Sequence, residues 1–257
     1  MRKRMGIAVI TGAASGIGAC VKARLEAQGY DIIGIDLQGE TISADLSTTE
    51  GRQAAITQTL EMCEGNIDRL VLAAGLGGHI EDGQLVARVN YFGAVELLDG
   101  FKEALRKTQG RVVVISSNSA QMRTDPESDI VRCLLDGNEG QAMQYIGDSH
   151  GALTYGVSKH AVARAVRRRA AEWGQIGVTL NAIAPGMTET PMFRGAADHP
   201  VIGRSVEAIP IPKTRVATPD EIAGVIEFML SDTAEYMQGS IIYVDGGTDA
   251  QLRPDAF

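Results

Sequence analysis

"GIAVITGAASGIG", residues 6–18, is the stretch on which the fold turns. An apolar run of strand length passes into a glycine-spaced turn, and the turn opens directly into residues of helical period. Gly12 and Gly16 let the backbone turn tightly and admit a pyrophosphate, while Gly18 lets the following helix pack close to the strand. Ser15 and Ile17 belong to the same phosphate-facing turn. The spacing is G-x-x-x-G-x-G, not the commoner G-x-G-x-x-G, so the glycines alone are a weak signal. The succession of strand, turn and helix is what points to a dinucleotide site.

Outward from this turn, short apolar runs alternate with longer helical stretches, the pattern of a parallel sheet covered on both faces. Strands are predicted at 6–11, 31–36, 68–74, 111–116, 177–183 and 240–245, and helices at 17–28, 48–63, 84–107, 154–174 and 218–231. The strand runs are almost continuously apolar, as strands buried on both faces require. The last helix has a legible start: Thr218 as cap, Pro219 in the first helical position, and Asp220 and Glu221 facing the dipole. The fold class expected is α/β, a doubly wound, Rossmann-like parallel sheet. With no linker in view, residues 1–257 form one dinucleotide-binding and catalytic domain. One segment breaks the rhythm. Residues 121–151 are far longer than a usual strand-to-helix loop, and Ile130, Val131, Leu134 and Leu135 recur at helical spacing, which predicts an insertion with one or two helices.

Asp36 ends the second strand, where a carboxylate accepts hydrogen bonds from the adenosine ribose and repels the 2′-phosphate of NADP. No arginine stands beside it in sequence, so NAD is the cofactor expected. In "ADLS" (44–47), Asp45 is a candidate partner for the adenine amino group, with Leu46 beside it. A helix-capping role for Asp45 is the competing reading.

Composition narrows the class. Hydrophobic content of 44% and charged content of 22% are ordinary for a globular protein, and no apolar run reaches the roughly 18 residues of a membrane span. The basic "MRKRM" at the start lacks the apolar core and cleavage site of a signal peptide, so a cytoplasmic location is expected. A net charge of −8 disfavours nucleic acid as a partner. The basic run "RAVRRR" (164–169) reads as a solvated or subunit-facing helix side. Cys20, Cys63 and Cys133 and the histidines at 79, 150, 160 and 199 lack ligand spacing, so no metal site is expected.

Five features stand in order: "TGAASGIG" (11–18), "NYFG" (90–93), "VVVISS" (112–117), "YGVSK" (155–159) and "APGMTETPM" (184–192). Together they resemble the motifs of the short-chain dehydrogenase/reductase family, over nearly the whole chain. The 121–151 insertion, "LAAGLGG" (72–78) and the C-terminal "DGG" (245–247) are similar to the bacterial 3α-hydroxysteroid dehydrogenase/carbonyl reductases. One departure stands out. The family has two asparagines where this chain has Leu72 and Ala73, so the hydrogen bonds they make must be missing or supplied from elsewhere. Gly75 remains, open to close approach of the adenine ribose.

The resemblance implies roles. Tyr155 acts as general acid/base at a carbonyl or alcohol oxygen. Lys159, on the same helix face one turn along, is expected to lower the phenol's pKa by its charge and to bind the nicotinamide ribose. Ser117 orients the substrate oxygen, with Ser116 competing for that role. Asn90 holds a water that relays protons from Lys159, against a plain helix-surface reading. Pro185, Gly186, Thr188 and Thr190 lie on the nicotinamide side. Residues 187–212 carry Met187, Met192, Phe193, Val201, Ile202, Ile209 and Ile211, which suit a flat apolar substrate such as a steroid or, equally, packing under a long loop. The activity expected is NAD-dependent interconversion of a 3α-hydroxyl and a 3-oxo group. Reduction of a 3-oxoacyl thioester or another carbonyl, and a non-catalytic NAD(H)-sensing regulator, are the alternatives. Because the insertion could block one of the family's pairing faces, a homodimer is expected.

Overall fold

The computed structural model describes residues 5–122, 125 and 127–256; the basic residues 2–4 and positions 123, 124 and 126 of the insertion lie outside them. The first half runs β1 (Ile7–Thr11), α1 (Gly16–Gln28), β2 (Asp31–Asp36), β3 (Ile42–Ser43), α2 (Thr49–Met62) and β4 (Arg69–Leu72). Next come α3 (Gly83–Ala87), a π-helical turn (Arg88–Phe92), α4 (Gly93–Gly100), α5 (Lys102–Thr108) and β5 (Arg111–Ile115). The second half holds α6 (Asp129–Leu135), α7 (Glu139–Ile146), α8 (Gly151–Gln175), β6 (Thr179–Pro185), α9 (Pro191–Ala197), α10 (Gly203–Glu207), α11 (Pro219–Met229), β7 (Ile241–Val244) and α12 (Thr248–Leu252).

All seven strands pair in parallel in the order β3-β2-β1-β4-β5-β6-β7. The near-continuous apolar runs are explained by alternation within them. Val9, Leu70, Leu72, Val112 and Val114 point into one layer, with Leu97, Phe101, Val162 and Trp173. Ala8, Ile10, Val71, Val113 and Ile115 point into the other, against Val21, Leu25, Ile222, Ile226 and Met229. A sheet buried on both faces must be apolar on both sides of each strand. The direction of strand order reverses between β1 and β4, and the crevice beyond the carboxyl ends of those strands is where ligands bind in such sheets.

The expected boundaries need several corrections. β3, two residues long, is too short to show a period. The helix expected over 84–107 is interrupted twice, by the π turn at Arg88–Phe92 and by a break at Phe101. α8 begins before residue 154, because His150 caps it: its Nδ1 accepts a hydrogen bond from Ala152 N at 3.1 Å. α11 starts as read, with a capping box between Thr218 and Glu221. β2 keeps its expected bounds, and the other strand bounds shift by at most two residues.

The insertion folds as two helices, α6 and α7, and an arginine keys it to the core. Arg52 of α2 is fully buried and pairs with Glu96 of α4 at 2.8 Å and with Glu139 of α7 at 2.6 Å. Its Nη1 also donates to the carbonyls of Leu46 and Ser47. In the basic run, Arg167 and Arg168 are exposed while Arg169 pairs with Asp99 at 2.6 Å. Among the described residues, no helix is long and apolar enough to cross a membrane and no cluster of potential metal ligands occurs.

Candidate active site

β1 delivers the chain to the glycine turn at the sheet's reversal point. Gly12 and Gly16 sit at φ +67° and +54°, a region that side chains resist. A methyl group at Gly12 would stand 2.8 Å from Ala74 N, and one at Gly18 only 2.1 Å from Gly12 O. The turn therefore closes on β4 and on itself only with glycine. Ser15 caps α1 with extended backbone and without a side-chain hydrogen bond, and no acid stands in the helix's first turn. The positive end of α1 thus faces the crevice, and the backbone around Gly16 and Ile17 can receive a phosphate. A methyl at Gly16 would meet Thr190 Cγ2 at 3.2 Å, so the turn and the segment after β6 face each other across the crevice.

Asp36 is half-buried at the end of β2. One carboxylate oxygen accepts from Ala14 N at 3.0 Å and the other from Leu37 N at 2.7 Å, which orients the group beside the glycine turn. Asp45 is exposed and accepts from Ser47 N at 2.9 Å, while the cap of α2 is Thr48, accepting from Gly51 N at 3.0 Å. Asp45 thus shapes the turn before the helix and does not itself cap it. Leu46 is buried in the core against Gly93.

The missing asparagine pair has a substitute. Thr11 Oγ1, at the end of β1, accepts from both Ala73 N (3.1 Å) and Ala74 N (3.0 Å), so the tie between β1 and β4 comes from the opposite strand. Leu72, 2% exposed, fills core instead.

α8 carries Tyr155 and Lys159 against the end of β5. Ser116 and Ser117 separate cleanly there. Ser116 Oγ donates to Lys159 O at 2.8 Å and is buried as an anchor between strand and helix. Ser117 Oγ accepts from Ser119 N (3.2 Å) and from Ser119 Oγ (2.9 Å), which leaves its own O–H to hydrogen-bond Tyr155. Ser119 was not singled out from sequence; the only signal was a third hydroxyl in "SSNS".

Lys159 Nζ donates to Ile115 O at 2.9 Å. A methyl at Gly75 would sit 3.1 Å from Asn90 Oδ1 and 3.4 Å from Lys159 Nζ, so Gly75, Asn90 and Lys159 meet at one point. Asn90 is buried, not on a helix surface. Its Oδ1 accepts from Leu76 N at 2.7 Å, and its Nδ2 donates to Leu76 O at 3.0 Å and to Ser158 Oγ at 3.3 Å. It stands in the π turn, a local widening that often marks functional sites.

Electrostatically, one expectation is reversed. Burial pushes the Tyr155 phenol above its ordinary 10, and the opposing influence is the Ser117 hydrogen bond, not the Lys159 charge. The ammonium is turned toward the Ile115 carbonyl, and burial lowers its own pKa from 10.5 to about 8. Desolvation outweighs the attraction that one-turn spacing suggests.

Beyond β6, Gly186 leaves room for Asp245, whose Cα lies 2.7 Å from where a methyl would be. Thr188 donates to Gly186 O at 3.0 Å, and Thr190 caps α9 by accepting from Phe193 N at 3.2 Å. The expected long segment 187–212 contains two helices, yet none of its seven apolar candidates is buried. Val201 is 74% exposed. A cavity of about 250 Å³ opens beside Tyr155, lined by Ser119, Met122, Ala152, Leu153, Gly156 and Val157.

Comparison with known proteins agrees with this geometry. Residues 6–127 match the family model described as short chain dehydrogenase, and residues 141–249 one described as enoyl-(acyl carrier protein) reductase. The chain is 44% identical to 3-alpha-hydroxysteroid dehydrogenase/carbonyl reductase of Comamonas testosteroni, covering 98% of this chain and 100% of the relative. It is 28% identical to cyclohexanol dehydrogenase of Rhodococcus sp., over 94% and 95% of the two chains. The crystal structure of the 3-alpha-hydroxysteroid dehydrogenase from Pseudomonas sp. B-0831, complexed with NADH, superposes with a TM-score of 0.95 at 39% identity, covering 98% of this chain and 100% of that one.

Proposed function

The chain belongs to the short-chain dehydrogenase family of oxidoreductases, and from that premise we propose that it uses NAD to interconvert a secondary alcohol and a ketone, the 3α-hydroxyl and 3-oxo groups of steroids. The observation that carries the reading is the convergence of Ser117, Tyr155 and Lys159 at the end of β5, with Ser117 acting to lower the Tyr155 phenol, beside a crevice walled by unburied apolar side chains. A pure NAD(H) sensor would need neither.

The dinucleotide fits the turn that glycine at 12 and 18 lets close on Ala74 and on itself, with Gly16 facing Thr190 across the crevice. Ser15, Gly16 and Ile17 would hold the pyrophosphate, and Asp36, Asp45, Leu46 and Gly75 would line the adenosine side. Lys159, Pro185, Gly186, Thr188 and Thr190 would line the nicotinamide side. The cofactor, when bound, supplies the hydride chemistry. The protein's own residues handle the proton and the orientation. In reduction, Tyr155 donates its phenolic proton to the carbonyl oxygen, and in oxidation it takes the proton back from the hydroxyl. Ser117 turns its O–H to the substrate oxygen and fixes the carbonyl against Tyr155. Lys159, ionised at neutral pH with a pKa of about 8, restores the proton through the polar group at Asn90.

Asp36 supports NAD over NADP, because a carboxylate already committed to Ala14 N and Leu37 N leaves a negative charge where the 2′-phosphate would fall. A small apolar substrate suits the half-buried apolar side chains of 187–212, a cytoplasmic homodimer is the expected form, and residues 1–257 act as one unit. The test is NADH formation from NAD with paired 3α- and 3β-hydroxysteroids, each repeated with NADP. Turnover confined to the 3α epimer with NAD is expected. Tight NADH binding without turnover of either epimer would remove the substrate assignment.

A further inference from the structure

Three of the four histidines, His79, His150 and His199, stand near one another. His150 caps α8, His199 follows α9, and their rings meet edge to face with centroids 6.2 Å apart. His79 lies on the loop between β4 and α3, and its ring is seated between two glycines. A methyl group at Gly77 would stand 2.7 Å from Nδ1, and one at Gly195 of α9 only 2.8 Å from Nε2. The Gly77 methyl would also meet Met192 Cγ of α9 at 2.8 Å. At the neighbouring position, a methyl on Gly78 would lie 3.0 Å from Ala152 Cα and 3.6 Å from Tyr155 Cβ. One face of this loop therefore rests on the helix of Tyr155 and the other receives α9. Nδ1 of His79 is buried without a hydrogen-bond partner, so the ring is held by shape and not by polar contacts.

We propose that His79 is a positioning residue for the substrate: its ring, seated between Gly77 and Gly195, sets how closely α9 closes over the crevice. The proposal rests on the reading of 187–212 as the substrate-side wall. α9 has no buried residue of its own and cannot be held down by a core. A wedge of fixed shape on a loop that also touches the catalytic helix supplies the missing register.

Charged groups surround the ring without pairing it. Asp82 and Glu81 share the loop, Asp82 being turned to cap α3, and Arg194 of α9 pairs with Glu189. Asp198 ends α9, and His150 and His199 stand nearby. Burial, and after it the neighbouring His199, opposes protonation of the His79 ring, so the wedge is an uncharged one.

The test uses Gly195→Ala. Alanine is the stronger helix former, so the substitution favours α9 unless the His79 ring blocks it. The expected result is a KM for the hydroxysteroid raised about tenfold with kcat within about twofold. NADH affinity stays unchanged, and amide exchange across 191–197 becomes faster. In a His79→Ala background, exchange is already fast and adding Gly195→Ala changes nothing further. A Gly195→Ala protein that behaves as wild type overturns the proposal, as does a Gly195→Ala effect that persists without the ring. Amide exchange decides the matter even if steroids are not turned over, in which case the failure falls on the substrate assignment.

Discussion

Lys159 should be a residue that the fold would be more stable without. Its side chain is 4% exposed, its ammonium has one backbone carbonyl as partner, and burial lowers its pKa from 10.5 to about 8. Below pH 8 both folded and unfolded chains carry the proton, and the folded one bears the cost of burying it. Between about 8 and 10.5 the unfolded chain still holds a proton that the folded chain has lost, so stability rises with pH through that window. The cost at pH 7 is about 3 kcal/mol and falls below about 1 kcal/mol at pH 10.

A Lys159→Met variant removes the charge and also the hydrogen bond to Ile115 O, a loss of about 1 kcal/mol. The cofactor-free variant should therefore be more stable than wild type by about 2 kcal/mol at pH 7 and about equal to it at pH 10. Urea midpoints of the two proteins at pH 7, 8.5 and 10 measure this directly, because the difference between them isolates one titrating group. A variant less stable at pH 7, or a difference flat across the pH range, would refute the reasoning. Turnover should be lost at every pH.

Tyr155→Phe should lower kcat by about 10²–10⁴-fold while NADH binding, followed by fluorescence titration, is unchanged. Full turnover would end the acid/base assignment. Asp36→Ala should reduce the preference for NAD over NADP, read as the ratio of kcat/KM values, by at least about tenfold. It should also weaken NAD binding itself, since the carboxylate orients Ala14 N and Leu37 N. Arg52→Met should destabilise the protein by about 2–3 kcal/mol, less than for a wholly buried pair because both acids keep some solvent. NADH affinity should fall with it, as Arg52 also holds the Leu46 and Ser47 carbonyls; an unchanged urea midpoint would contradict the keyed-insertion reading.

What the sequence made legible were features with a local cause. Buried strands must be apolar throughout, a tight turn needs glycine at Gly12 and Gly16, and Thr218 with Glu221 closes its capping box within four residues. The insertion was visible because loops are rarely so long. What escaped depended on contacts between distant segments. Nothing local marks Thr11 as the donor-satisfying partner of Ala73 and Ala74, sixty-odd residues on. The π turn at Arg88–Phe92 has no one-dimensional signature. That Ser116 and not Ser117 is taken up by α8, through Lys159 O, is likewise a fact about packing.

Lys159 shows why spacing can mislead about electrostatics even when it places residues correctly. Two groups four apart on a helix share a face, and their interaction was expected to stabilise the phenolate. Loss of hydration, however, costs each charged form, and here that cost pushes the half-buried tyrosine up and the buried lysine down. The site thus carries an unfavourable charge that the core offsets. Under the proposed function, a ribose hydroxyl at Lys159 and a substrate oxygen at Tyr155 would each offer a hydrogen bond there, and binding would offset a cost that the folded chain already bears.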